Sequence, residues 1–294
     1  MKKIVIVGAG LVGSTAAYTL MIDGSADELA LVDVCKEKAE GHAMDMSHGT
    51  EFVPSVKLSS CDDYSVCKDA DIIVICAGTA RKPGQSRLDL IHTNAGILKD
   101  IISNIKEVNT GCILLIVSNP VDILTYLAIK ESGFPANKVI GTGTMLDTAR
   151  FKFLLSEHFK VASTKVDVFV LGEHGATAFP YLSHAKIDGK PLTEAVSKIF
   201  DKTKEVAAEV IEKKGATCYA IALCISKLAR TILTDKEEVL PVSTLVDDVC
   251  LSVPCIINKD GIKEKIKLEL NDEEKKNFDI SKKALKEVID NITS

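Results

Sequence analysis

Near its start the chain carries the apolar run Lys3–Val7, followed at once by Gly8-Ala9-Gly10-Leu11-Val12-Gly13 and a helical pattern over residues 11–21. Strand, glycine turn, helix is an order that leaves few folds open. Glycines let the backbone turn tightly and approach a ligand closely. A helix beginning there aims unpaired N–H groups and its positive dipole end at an anion. Three glycines alone also fill ordinary turns, so the second strand has to decide. Residues 29–34 form that β-rich run, and Asp33, at its end, lies twenty residues after Gly13. A carboxylate there hydrogen-bonds both hydroxyls of an adenosine ribose and repels a 2′-phosphate. The pattern therefore points to a dinucleotide, and to NAD rather than NADP.

The alternation continues with strand-like runs at 72–77, 112–118 and 138–141, separated by helical stretches at 88–106 and 121–131. Strands alternating with helices give βαβ units and a parallel sheet. The unbroken apolar character of these runs suits strands covered on both faces. Residues 36–60 are less regular, with 57–60 a candidate extra strand. After about Thr144 the pattern changes. A helix at 146–158 and an apolar strand at 166–171 precede a helical stretch at 193–213, where Ala195, Ile199, Val206, Val210 and Ile211 recur at helical spacing. Beyond Gly215 come a helix at 216–233, strands at 239–246, 249–257 and 265–270, and a last helix capped by Asn271. The chain reads as two closely packed units meeting near residue 144.

Composition narrows the partners. A length of 294 residues, with 46% hydrophobic and 26% charged, is that of an ordinary globular chain. The net charge of −5 leaves no basic footprint for nucleic acid. No apolar run reaches the roughly 18 residues of a membrane span, and Met1-Lys2-Lys3 leads straight into the first strand with no secretory pattern, so a cytoplasmic protein is expected. The nine cysteines are odd in number, without C-x-x-C spacing, and Cys76 and Cys112 sit inside strand-like runs. They read as reduced core residues, with no metal site.

Chemistry is concentrated in two later segments. Gly172-Glu173-His174-Gly175 follows an apolar strand, and strand ends are where such folds present reactive groups. Upstream, Asp147 and Arg150 in Met145-Leu146-Asp147-Thr148-Ala149-Arg150 lie three apart on one helix face.

Residues 8–13, Ser118-Asn119-Pro120-Val121-Asp122, Leu146-Asp147-Thr148-Ala149-Arg150 and residues 172–175, in that order, resemble the lactate/malate dehydrogenase family over nearly the whole chain. Pro83-Gly84-Gln85-Ser86-Arg87-Leu88-Asp89-Leu90 is similar to its mobile active-site loop. The resemblance implies an α/β fold: a Rossmann-type doubly wound parallel sheet (1–143, NAD-binding) followed by an α/β substrate domain (144–294), assembled as a homodimer or homotetramer. By the same resemblance His174 exchanges a proton with the substrate oxygen, and Asp147 fixes its tautomer. Arg150 holds the C1 carboxylate through a bidentate fork, Arg87 polarises the reacting carbonyl, and Asn119 orients the same oxygen. Thr217 floors the substrate pocket. Cofactor contacts are implied at Gly8, Gly10, Leu11, Val12, Gly13, Asp33, Ala77, Gly78, Asn94, Val117 and Asn119. An NAD(H)-sensing module would need residues 8–13 and Asp33, but not Arg87, Asp147, Arg150 and His174 together.

The substrate turns on Arg81 in Ala77-Gly78-Thr79-Ala80-Arg81-Lys82-Pro83-Gly84. Malate dehydrogenases of the family carry Arg at this place, and lactate dehydrogenases typically carry Gln. A closed site holds a second carboxylate only beside a counter-charge. The expectation is therefore oxidation of (S)-malate to oxaloacetate and its reversal, a step of the tricarboxylic acid cycle. L-Lactate is the alternative, because Glu173 and Lys214-Gly215-Ala216-Thr217 resemble the lactate side of the family.

Overall fold

The computed structural model describes residues 1–79 and 87–293, apart from the side chains of Arg87 and Thr293. In the first half, β1 (Lys3–Val7), β2 (Glu28–Val32), β3 (Lys57–Cys61), β4 (Ile72–Ile75), β5 (Ile113–Ile116) and β6 (Val139–Gly141) form a parallel sheet in the order β3-β2-β1-β4-β5-β6. Period-two alternation sorts their side chains. Ile4, Ile6, Leu29, Leu31, Ile72 and Val74 face one layer, while Val5, Val7, Ala30, Val32, Ile73 and Ile75 face the other. On the first face α1 (Leu11–Asp23) packs through Ala16, Ala17 and Leu20, and on the second α3 (Arg87–Val108) packs through Leu98, Ile102 and Ile105. Fully burying each large aliphatic side chain is worth about 1.5–3 kcal/mol. Only β3, at the edge, leaves every residue partly exposed. Among the described residues, the other α-helices of this half are α2 (Lys36–His48) and α4 (Val121–Ser132). Strand order reverses between β1 and β4, which opens a crevice at their carboxyl ends.

The second half supplies α5 (Met145–Phe159), β7 (Val166–Asp167), β8 (Val170–Leu171), β9 (Phe179–Pro180), β10 (Lys186–Ile187), β11 (Lys190–Pro191), α6 (Ser197–Lys214), α7 (Tyr219–Leu233), β12 (Glu238–Val246), β13 (Val249–Asn258), β14 (Gly261–Lys265) and α8 (Asp272–Thr293). β12, β13 and β14 are antiparallel and continue the parallel sheet, with Ser243 opposite Gly141, to nine strands. α8 begins with a reciprocal cap. Asn271 Oδ1 accepts the Glu274 N–H at 2.9 Å, and Glu274 Oε2 accepts the Asn271 N–H at 3.0 Å.

Three expectations are corrected. Residues 36–60 contain a regular helix, α2, which buries only the small face of Ala39, Ala43 and Met46. The single strand at 166–171 is two: β7 joins β10, and β8 joins β9 in another sheet. The alternating run at 265–270 is not a strand, because β14 ends at Lys265. Leu268 and Leu270 beyond it pack with Phe179 and Tyr181 instead.

The cysteines are free, and burial pushes the thiol of Cys112 up to about 12. Among the described residues no single helix is long and apolar enough to cross a membrane.

Candidate active site

Two chain segments bring the chemistry together. α5 begins at Met145 because the backbone before it is pinned: Ser252 Oγ accepts the Thr144 N–H at 2.9 Å, and Thr148 Oγ1 accepts the Val170 N–H at 2.9 Å. This seats the Asp147–Arg150 face of α5 beside the turn that follows β8. That turn starts at Gly172, whose φ of +89° suits glycine, and an added Cβ there would strike Ser281. Glu173, almost fully buried, accepts the Thr177 hydroxyl at 2.6 Å and braces the turn.

His174 Nδ1 then lies 2.6 Å from Asp147 Oδ2, and Arg150 Nη1 lies 3.4 Å from Asp147 Oδ1. Burial opposes charge on both partners. The hydrogen bond between them outweighs it, holding His174 above the ordinary imidazole value and, with the Arg150 charge, Asp147 below the usual carboxylate value. With Nδ1 committed to Asp147, the other nitrogen, Nε2, is left to carry an exchangeable proton.

These three residues line a cavity of about 450 Å³ together with Asn119 and Thr217. Val12 and Val117 reach it from the glycine turn and the end of β5. A second cavity of about 440 Å³ follows the crevice beside β1 and β4 and includes Gly8, Gly10, Asp33, Ala77 and Gly78. Here Gly8 has φ +102°, and a Cβ on it would sit 2.6 Å from Ala77 N; a Cβ on Gly13 would strike the Gly8 carbonyl. Asp33 accepts the Ala9 N–H at 2.6 Å and the Cys35 N–H at 2.9 Å, which fixes its carboxylate at the mouth of the glycine turn.

Residues 2–141 match the family model described as the lactate/malate dehydrogenase NAD binding domain, and residues 144–294 match its alpha/beta C-terminal domain. The chain belongs to the lactate/malate dehydrogenase family. It is 44% identical to an L-lactate dehydrogenase of Geobacillus sp., over 98% of this chain and 96% of that one. It is 45% identical to L-lactate dehydrogenase 1 of Clostridium acetobutylicum, over 99% and 98%. Among solved structures, the minor L-lactate dehydrogenase of Enterococcus mundtii, in a ligand-bound form, superposes with a TM-score of 0.96 at 39% identity, over 99% and 98% of the two chains.

This member of the lactate/malate dehydrogenase family is an NAD-dependent 2-hydroxy acid dehydrogenase. The glycine cradle and Asp33 fit the cofactor, since an added methyl at either crowded glycine would fill or distort the crevice. The expectation of malate is not supported by these relatives, whose names favour the lactate alternative. Neither is a place in the tricarboxylic acid cycle. Malate rests on Arg81, and one residue outside the described residues does not outweigh likeness over nearly the whole chain. The Arg87 side chain also lies outside the described residues.

Of the other expected contacts, Leu11 is largely exposed at the start of α1. Asn94 is buried, and its amide is engaged by the protein: Oδ1 accepts the Thr79 N–H at 2.9 Å, and Nδ2 donates to Asn119 O at 2.8 Å and Thr79 O at 3.2 Å. It braces the loops after β4 and β5. Sequence reasoning missed most of the wall made by α6, where Phe200, Thr203, Lys204 and Ala207 join Ile211 in lining the cavity beside His174. Their spacing of three and four was the available signal, but the stripe named in the sequence meets this wall only at Ile211.

Proposed function

We propose that this dehydrogenase interconverts pyruvate and L-lactate. The observation that carries the chemistry is the His174–Asp147–Arg150 cluster on a cavity that also receives residues from the glycine turn. The names of the relatives support lactate as the substrate. Bound NADH supplies the hydride from nicotinamide C4. In reduction His174 Nε2 gives its proton to the oxygen of the 2-oxo group, so hydride and proton together convert C=O to CH–OH. In oxidation the same nitrogen takes the proton back. Arg150 pairs with the C1 carboxylate, Asn119 orients the reacting oxygen, Arg87 polarises the carbonyl, and Thr217 floors the pocket. Cofactor contacts come from Gly8, Gly10, Leu11, Val12, Gly13, Asp33, Ala77, Gly78 and Val117, with Asn94 acting through Asn119 and Thr79. Residues 1–143 form the cofactor unit, 144–294 the substrate unit, and the chain works as a homodimer or homotetramer.

Arg81 favours a second reading, oxaloacetate and (S)-malate. A guanidinium closed over pyruvate's methyl group would be left without a counter-charge, at a cost of about 3–5 kcal/mol, or at least about 100-fold in rate after discounting for residual water. Steady-state kcat/KM for pyruvate and oxaloacetate decides between them. The lactate reading expects pyruvate ahead, with Arg81→Gln changing little. If oxaloacetate leads by about 100-fold and Arg81→Gln collapses that lead, malate takes its place.

A further inference from the structure

One buried carboxylate near the catalytic histidine has no part in the chemistry so far. Asp122 lies in the first turn of α4, on the cofactor side, and is only 2% exposed. Both of its oxygens are used across the boundary between the halves. Oδ2 accepts the backbone N–H of His174 at 2.7 Å, and Oδ1 accepts the Ser243 hydroxyl, on β12, at 2.6 Å. A buried charge needs such partners, because an unpaired one is costly. Here one of the partners is the backbone of the proton carrier itself.

We infer that Asp122 is a positioning residue for the reaction: from the cofactor half it fixes the backbone of His174. The inference rests on His174 being the proton carrier. Reduction requires the substrate, hydrogen-bonded to a histidine of the second half, to lie at a set distance from a cofactor held by the first half. A direct bond from α4 to His174 sets that distance without passing through the rest of the second half, and small misplacements of a reacting group are expensive.

The surrounding charges agree with this role. Asp147 and Asp122 both raise the proton affinity of His174, while Arg150 opposes them. Burial pushes the Asp122 carboxyl up to about 6, against the bonds from Ser243 and His174, and the neighbouring Glu173 raises it further. Cys250, on β13, also feels its charge. Asp122 is thus ionised at neutral pH and takes a proton within reach of ordinary assays.

The test uses full-length enzyme. Asp122→Asn keeps a carbonyl for the His174 N–H and offers an amide to Ser243, so contact remains while charge is lost. Asp122→Ala loses both. NADH binding by fluorescence is expected within about twofold of wild type for Asn. In the pH profile of kcat/KM for 2-oxo acid reduction, the basic limb, where His174 gives up its proton, should move down by about half to one unit in both variants. Alanine should lose a further tenfold or so in kcat through lost placement. Should neither variant fold, Ser243→Ala removes only the bond to Oδ1 and, by loosening the carboxylate under His174, should lower kcat about threefold while KM and NADH binding stay within about twofold. His174→Asn separates the two levels. If it keeps turnover, the proton-carrier reading fails. If it abolishes turnover while the Asp122 variants leave the basic limb and kcat unmoved, or Ser243→Ala in their place leaves kcat unmoved, the role of Asp122 is overturned.

Discussion

Asp147 carries two obligations at once, to His174 and to Arg150, and the pH behaviour of the enzyme follows from how it meets them. Because the pKa of His174 is raised, its protonated form persists above the ordinary value near 6.5. Reduction of the 2-oxo acid should therefore hold its kcat/KM from acidic to neutral pH and fall as pH rises through the raised value, while oxidation of the hydroxy acid rises over the same range. The stabilising part of the pair follows the same signs. The His174 share is complete below about 6.5 and is lost as pH rises through its folded value. The Asp147 share is complete above about 3.9 and is lost as pH falls through its lowered value. His174→Asn should cost about 10²–10⁴-fold in turnover, the usual contribution of a general acid–base group, and leave NADH affinity nearly unchanged. A pH–rate profile of both directions, with NADH titrations alongside, checks this. A variant retaining a tenth of the activity would remove His174 from the role. At this scale much of the site was legible: His174, Asp147 and Arg150 are single residues in short motifs. Asp122 stood in one of those motifs, yet its role depends on a backbone contact 52 residues along the chain, which no spacing rule reveals.

Elements with strong periodicity were readable, and those with mixed signals were not. β4 and β5 are unbroken runs of Ile, Val and Leu, and β1 is such a run after Lys3. α2 hides in a charged sequence because Ala39 and Ala43 bury little area and give almost no apolar stripe. The run at 265–270 alternates like a strand, but tertiary packing of its leucines against Phe179 and Tyr181 overrides that local preference. The glycine turn before α1 offers a prediction that separates folding from binding. Gly10 has φ −71°, and a Cβ on it meets nothing within 4 Å. Gly10→Ala should keep thermal stability within about 0.5 kcal/mol of wild type, yet weaken NADH tenfold or more by filling the space that the pyrophosphate approaches. Gly13→Ala, whose Cβ would strike the Gly8 carbonyl, should lose about 1–3 kcal/mol of stability as well. Thermal melts and NADH titrations of the two variants make the comparison. Equal melting losses, or unaltered NADH binding by Gly10→Ala, would break the link between this turn and the cofactor.

On the scale of the whole molecule, one nine-stranded sheet runs through both halves, and the crevice at the glycine turn and the cavity at His174 both open at the ends of its parallel strands. The same sheet leaves apolar surface on its outer helices. α1 and α7 pack against each other, and their outer sides still expose Leu11, Tyr18 and Ile22 on one and Tyr219 and Leu223 on the other. The α1 positions are seven and four apart and the α7 positions four apart, so each set lies along one face of its helix. Covering a large apolar side chain gains about 1.5–3 kcal/mol, and self-association is the simplest way for a lone chain to collect it. Sedimentation equilibrium at micromolar concentration should give the mass of a dimer or tetramer. Leu223→Glu places a charge in the middle of that face and should shift the population toward monomer. α7 begins two residues after Thr217, and α1 begins at the glycine turn, so the same variant should also raise KM or lower kcat several-fold as both helices lose support. A wild-type protein that sediments as a monomer would end the association proposal. A Leu223→Glu protein that stays fully associated would move the interface off these two helices.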